Sequence, residues 1–192
     1  MMEESRRVRM TKRLMKDALL ELMEKYPINR ITVTAICETA DVHRTTFYKH
    51  YADPLQLLED IENEIIEQMP ATPYQEGIND PDQFAEVNTE FYDYVKENAR
   101  AFRVLLIDST DNRFYNRILE AIQGRYFDNK LDGMQTRDSF LYMYTVYGAL
   151  GMLIEWLRHD FPVSSEEYVR MVYEFSLRCL GPDGVKVLKR GL

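Results

Sequence analysis

Apolar residues recur at helical spacing along most of the chain. Leu14, Met15, Ala18, Leu19, Leu22 and Met23 line one face of residues 6–26, the spacing of an amphipathic helix, and Pro27 ends it because proline cannot continue the backbone hydrogen bonds. Thr32 can cap a short helix over 33–39, with Ile36 and Ala40 on the apolar face. After Asp41 and Val42 a third short helix fits 43–50. Asp53-Pro54-Leu55-Gln56 opens a longer helix by local chemistry. Asp53 can accept from an end N–H, Pro54 suits the first helical position, and Gln56 stands where a capping-box partner belongs. Leu58, Ile61, Ile65 and Met69 stripe that helix until Pro70, and the device recurs at Asp80-Pro81-Asp82-Gln83 ahead of Phe84, Val87, Phe91 and Val95. Between the two, residues 71–79 form a linker rich in Pro, Gly and polar residues.

Two further helical patterns cover 99–107 and 112–127, the second striped by Tyr115, Ile118, Leu119 and Ile122. Residues 137–159 form the longest apolar helix. Ser164 with Glu167 is a capping box for a helix through Val169, Val172, Tyr173 and Leu177 to Leu180, which Gly181-Pro182 stops. The pattern predicts an all-α protein of about nine helices, with neither strand nor internal repeat. Two short helices joined by a tight turn and propped by a longer first helix have the order of a helix-turn-helix DNA reader. The expected division is a helix-turn-helix domain over 1–52 and a larger helical bundle over 53–192.

The 192 residues are 45% hydrophobic, enough for one large domain or two small ones. Cys37 and Cys179 lie far apart within apolar helical patterns and are expected as buried free thiols in a reducing cytosol. Residues 1–10 are polar and lack the apolar run of a secretory signal. Residues 140–157 come nearest to a membrane span, but three tyrosines and two glycines dilute them, and a buried core helix of a soluble, cytoplasmic protein is expected. Enzyme signatures are poor: no Gly-rich phosphate loop, G-x-S-x-G, H-E-x-x-H or metal-spaced Cys/His cluster occurs. Neither catalysis nor a metal or other cofactor is expected.

A net charge of -8 opposes a nucleic-acid partner when taken over the whole chain. Divided, the picture changes. Residues 1–51 hold ten basic and seven acidic side chains, net +3, and the remaining 141 residues hold 14 basic and 25 acidic, net -11. Such asymmetry suggests two surfaces with different partners.

The run RITVTAICETADVHRTTFYKHYADPLQLL at residues 30–58 resembles the DNA-binding domain of the TetR (tetracycline-repressor-like) family of transcriptional regulators. The likeness rests on an ordered pattern: Ile31-Thr32-Val33 leading in, Ile36 and Ala40 in the second helix, Val42 in the turn, Thr46-Phe47-Tyr48 in the recognition helix, Tyr51 closing it, and Leu57-Leu58 beyond. It covers residues 8–58. Tyr147-Gly148-Ala149-Leu150-Gly151 with Trp156-Leu157 looks like the subgroup that includes regulators of dihydroxyacetone metabolism. Two positions depart from the family pattern. Asp41 stands where Gly usually serves a left-handed turn, and Pro54 where a Lys often meets a phosphate.

The recognition helix presents Arg44, Thr45, Thr46, Tyr48, Lys49 and His50, with Val42, Phe47 and Tyr51 as its packing side. Arg44, near the helix start, suits a base edge, since arginine bidentate to guanine is the commonest specific contact. Tyr48, Lys49 and His50 suit phosphates. Thr32 can both cap the second helix and present its N-terminus to a phosphate. Arg6, Arg7, Arg9, Lys12 and Arg13 have the composition of a basic arm reaching the duplex, or simply of a solvated face.

Residues 52–192 hold 19 of the 23 aromatic side chains. Phe91, Tyr94, Phe102, Tyr115, Ile118, Ile122, Tyr144, Tyr147, Met152 and Trp156 are candidates to line a small-molecule effector cavity, with Glu155 as a lone carboxylate there. Each also fits an ordinary core. Gly148 and Gly151 permit close helix approach, and Tyr168, Met171, Val172 and Phe175 give the last helix an apolar face. The resemblance implies that these two helices form a four-helix dimer interface. It further implies a homodimeric regulator, a repressor by expectation, that reads a palindromic operator in double-stranded DNA and answers to a small molecule. The alternative is a helical adaptor or coactivator whose DNA binding is weak or partner-dependent.

Overall fold

The computed structural model describes residues 6–70, 80–109, 111–126 and 136–180, without the side chains of 122–126, 136–138, 142, 179 and 180. The linker at 71–79, the stop at Gly181-Pro182 and the side chains of Ile122 and Cys179 lie outside that description. Nine α-helices and no strand occur among the described residues: α1 (Arg6–Met23), α2 (Val33–Ala40), α3 (Arg44–Phe47), α4 (Pro54–Gln68), α5 (Pro81–Glu97), α6 (Ala99–Arg103), α7 (Arg113–Tyr126), α8 (Thr136–Arg158) and α9 (Ser165–Leu180). A 3₁₀ turn spans Ile28–Arg30, and a π-helical turn spans Val104–Asp108.

Capping chemistry sets four of the described helix starts. Thr32 Oγ1 accepts from Ala35 N at 3.2 Å, and Asp80 Oδ1 accepts from Asp82 N at 2.9 Å ahead of Pro81. Asp53 Oδ1 accepts from Gln56 N at 2.9 Å while Gln56 Oε1 accepts from Ala52 N at 2.6 Å. Ser164 Oγ accepts from Glu167 N at 3.2 Å. The bonds accepted by Thr32, Asp80, Asp53 and Ser164 each satisfy an N–H that the first helical turn leaves without a partner, and the one accepted by Gln56 ties down the residue before the cap.

Two compact units result. The first comprises Met1–Gln68 with Val104–Phe114, the second Met69–Arg103 with Tyr115–Leu192. By packing, α4 groups with the helices before it. The reason is burial: Leu57, Leu58, Ile61 and Ile65 of α4 join Met15, Leu19, Ile36 and Phe47 in the first unit's core, as do Val104, Leu105 and Phe114. In the second unit α5 lies along α9, and α8 packs on α6 and α9. Its core holds Phe91, Val95, Phe102, Ile118, Leu150, Leu153, Trp156, Leu157 and Val169.

Three expectations need correction. The helix expected over 99–107 is α6 followed by the π turn, where Ser109 N donates to Val104 O at 2.9 Å across five residues. A π turn accommodates one extra residue, and here Val104 and Leu105 are buried. The recognition helix expected over 43–50 is α-helical only over Arg44–Phe47, and a hydrogen-bonded turn carries it on, with His50 N and Tyr51 N both donating to Phe47 O at 2.9 Å. Finally, α8 is not a buried core helix. Ser139–Arg158 is long and apolar enough to cross a membrane by length and composition, yet only 24% of it is buried. Leu150, Leu153, Trp156 and Leu157 point inward, whereas Phe140, Tyr144 and Tyr147 are exposed. Apolar composition reports that a face resists water but not what covers it.

Candidate nucleic-acid interface

α2 ends at Asp41, whose backbone is left-handed at φ 52° and ψ 50°. Val42 N donates to Cys37 O at 3.0 Å, which closes the turn. The aspartate thus adopts the conformation that glycine adopts more cheaply, at a cost that short polar side chains bear best. His43 is extended at the N-cap of α3 without a side-chain cap.

From that turn the chain sorts itself by side. Phe47 is fully buried and Tyr51 nearly so, their ring centroids 5.8 Å apart. Arg44, Thr45, Tyr48 and Lys49 are exposed on the other side, Thr46 and His50 are half-buried, and Thr32 is exposed at the start of α2. Of the expected DNA-facing residues, five are therefore solvent-exposed and Thr46 and His50 partly so. Arg6, Arg7, Arg9 and Arg13 are also exposed, but they belong to α1 and form no separate extended arm. Pro54 is the first residue of α4 and half-buried.

A polar network holds this surface from behind. Tyr51 Oη donates to Asp60 Oδ2 at 2.7 Å, and Lys16 Nζ lies 2.9 Å from Asp60 Oδ2 and 2.5 Å from Glu64 Oε2. The chain leaving α3 is thereby tied to α4 and α1. Burial pulls the Asp60 carboxyl upward, but hydrogen bonds from Lys16 and Tyr51 and the charges of Lys16 and Lys12 hold it below its ordinary value. Burial likewise pulls Lys16 down, and Glu64 and Asp60 more than offset it, so the ammonium lies above its ordinary value. Deeper in the same unit, the buried Glu62 of α4 meets Arg113 at 3.1 Å, and Arg113 also meets Glu59 at 2.8 Å. These pairings link residues about fifty positions apart, and no sequence signal pointed to them.

In the second unit the expected effector residues do not share one environment. Phe91, Phe102, Ile118 and Trp156 are buried, Tyr94, Tyr115 and Met152 half-buried, and Tyr144, Tyr147 and Glu155 exposed on α8. Glu155 pairs with Arg158 and, at 3.4 Å, with His159, so it is a surface carboxylate. Trp156 stacks on Tyr168 at 4.5 Å and meets Phe161 at 4.7 Å, while Tyr92 lies 4.9 Å from Tyr168. Burial pushes the Tyr92 and Tyr168 phenols well above their ordinary range. The hydroxyls of Ser165, Tyr168 and Tyr173 are buried without a hydrogen-bond partner.

The interface set divides too. Tyr168 and Val172 are core residues, Met171 is half-buried, and Gly148, Gly151 and Phe175 are on the surface. Tyr168 faces inward because its ring completes the stack with Trp156. A Cβ at Gly148 or Gly151 would meet no atom of another helix within 4 Å, so that side of α8 is open among the described residues. Among the described residues no group of three or more His, Cys, Asp or Glu is placed to hold a metal.

The first unit has the helix order of a helix-turn-helix, a frame on which many DNA readers are built. A family model described as the transcriptional regulator C-terminal region matches residues 82–177, half of the chain. The chain belongs to the TetR family of transcriptional regulators. Among solved structures it is similar to a TetR transcriptional regulator from Streptococcus agalactiae 2603V, with a TM-score of 0.62, 18% identity, and coverage of 89% of this chain and 96% of that one. It is also similar to the dihydroxyacetone kinase operon activator DhaS, with a TM-score of 0.53, 17% identity, and coverage of 88% and 94%. At these identities the likeness is one of fold. No curated protein matches the chain.

Proposed function

We propose that the protein is a cytoplasmic homodimer that binds a palindromic operator through α2 and α3 and represses transcription until a small molecule occupies its second unit. The observation that carries this reading is the sorting of the recognition segment, with Phe47 and Tyr51 buried and Arg44, Thr45, Tyr48 and Lys49 exposed. Arg44 reads a base edge, while Tyr48, Lys49, His50 and Thr32 contact phosphates. A twofold axis would set two such readers about 34 Å apart, one turn of DNA.

The exposed stripe Phe140, Tyr144 and Tyr147, beside the open glycines, supports dimerisation through α8, with Phe175 and Met171 of α9 at its side. Such a stripe is costly in water and self-complementary about a twofold axis. The unpartnered hydroxyls among the second unit's aromatics support a guest with hydrogen-bonding groups. Thermal-shift screening of small molecules tests for that guest, because a ligand at 100 times its dissociation constant stabilises by roughly 2.7 kcal/mol.

The decisive experiment is a mobility-shift assay with DNA flanking the protein's own gene. Arg44→Ala should cost about 1–3 kcal/mol and relax preference at one base pair. Binding to every duplex alike, or an Arg44→Ala variant that binds as the parent does, refutes the reading. Failure to bind heparin or random duplex at low salt would instead favour an adaptor or coactivator.

A further inference from the structure

The Arg44 guanidinium reaches back from the first residue of α3 to the second residue of α2. Its Nη2 donates a hydrogen bond to Thr34 Oγ1. One turn further along α2, burial pushes the Cys37 thiol up and the charge of Arg44 opposes that shift. The hydrogen bond sets Arg44 against α2 at Thr34, and its charge is felt at Cys37 in keeping with that placement. Thr34 is half-buried, and Arg44 stays exposed on the solvent side of the segment. Threonine within a helix has few χ1 choices, which limits the positions its hydroxyl can take.

We propose that Thr34 is a positioning residue for sequence reading, its hydroxyl orienting the Arg44 guanidinium for a base edge before DNA arrives. The proposal rests on Arg44 as the base-reading residue. An exposed arginine samples many rotamers, and immobilising it on binding costs affinity. A hydrogen bond already made in the free protein removes part of that cost. The guanidinium gives one N–H to Thr34 and keeps enough others in its planar fork for a bidentate contact. Only a base pair presenting the matching acceptors gains from an arginine held this way, so the effect falls on discrimination at one position.

The test selects sites from a duplex pool with the intact protein, then measures base preference by competition with single-base-pair variants, for the parent, Arg44→Ala, Thr34→Val and Thr34→Ser. Arg44→Ala should flatten one base pair in each half-site. Thr34→Val, which keeps the shape and loses the acceptor, should lower preference at that same base pair by about 2- to 10-fold, with the other positions unchanged. Thr34→Ser should restore it. If Arg44→Ala flattens a position that Thr34→Val leaves intact, Thr34 is at most a structural tie and the proposal falls alone. Should Arg44→Ala flatten no position, the reading of Arg44 falls and takes the proposal with it.

Discussion

Removing Arg113 should unlatch α4 from the segment that follows the π turn. Glu62 is 1% exposed, and its carboxylate meets Arg113 Nε at 3.1 Å. Breaking a buried pair by deleting one partner costs about 3–5 kcal/mol, because the other charge stays out of water. The Arg113 side chain is 32% exposed, so water reaches part of the site after truncation, and Glu62 keeps a further interaction of its own, so the cost falls to the lower figure or somewhat below it. The second contact, to Glu59, joins a carboxylate 54% exposed and adds well under 1 kcal/mol. Arg113→Ala should therefore destabilise by about 2–3 kcal/mol, a fall in melting temperature of roughly 4–12 °C for a chain of this size. Trp156, the single tryptophan, lies in the second unit, so its fluorescence follows that unit while far-ultraviolet circular dichroism follows both. The loss should appear in circular dichroism ahead of fluorescence, at fixed protein concentration. Replacing both partners, Glu62→Leu with Arg113→Met, should recover most of the stability. An Arg113→Ala midpoint within about 1 °C of the parent, or a double variant weaker than either single one, would refute this account of Glu62.

Three further outcomes follow from other sites. Asp60 titrates below its ordinary 3.8 when folded, so its stabilisation is complete above that value and lost as pH falls through the lower folded value. Asp60→Asn should thus be less stable at neutral pH but lose less on acidification below about pH 4, and parallel acid-denaturation curves would contradict it. Lys16 titrates above its ordinary 10.5, so its stabilisation is present below that pH and is lost as pH rises through the higher folded value; Lys16→Met should blunt the decline in an alkaline-denaturation curve, and parallel curves for the two proteins would contradict it. At the left-handed Asp41, Asp41→Val should cost about 1–2 kcal/mol and Asp41→Gly should stay within about 0.5, since relief of strain and a freer unfolded chain nearly cancel. Urea midpoints decide, and a tolerated valine would show the turn to be adaptable.

Local chemistry made much of this protein legible from sequence alone. Asp53, Asp80, Thr32 and Ser164 each cap a helix a few residues on, so neighbours in the chain suffice to place those starts. The inward set Phe47 and Tyr51 was equally readable, because helical period sorts a short segment into two faces. Tertiary structure decided the rest. Whether Tyr168 or Phe175 of α9 faces inward depends on Trp156 of another helix, and periodicity names a face without its occupant. The apolar run of α8 reads as core, yet the helices of its own unit cover only its Leu150, Leu153 and Leu157 side and leave Phe140 and Tyr144 in solvent. Glu62 with Arg113, Lys16 with Asp60, and Arg44 with Thr34 are long-range or cross-helix pairs. No local signal encodes them, because an exposed and a buried carboxylate look alike until a distant segment excludes the water.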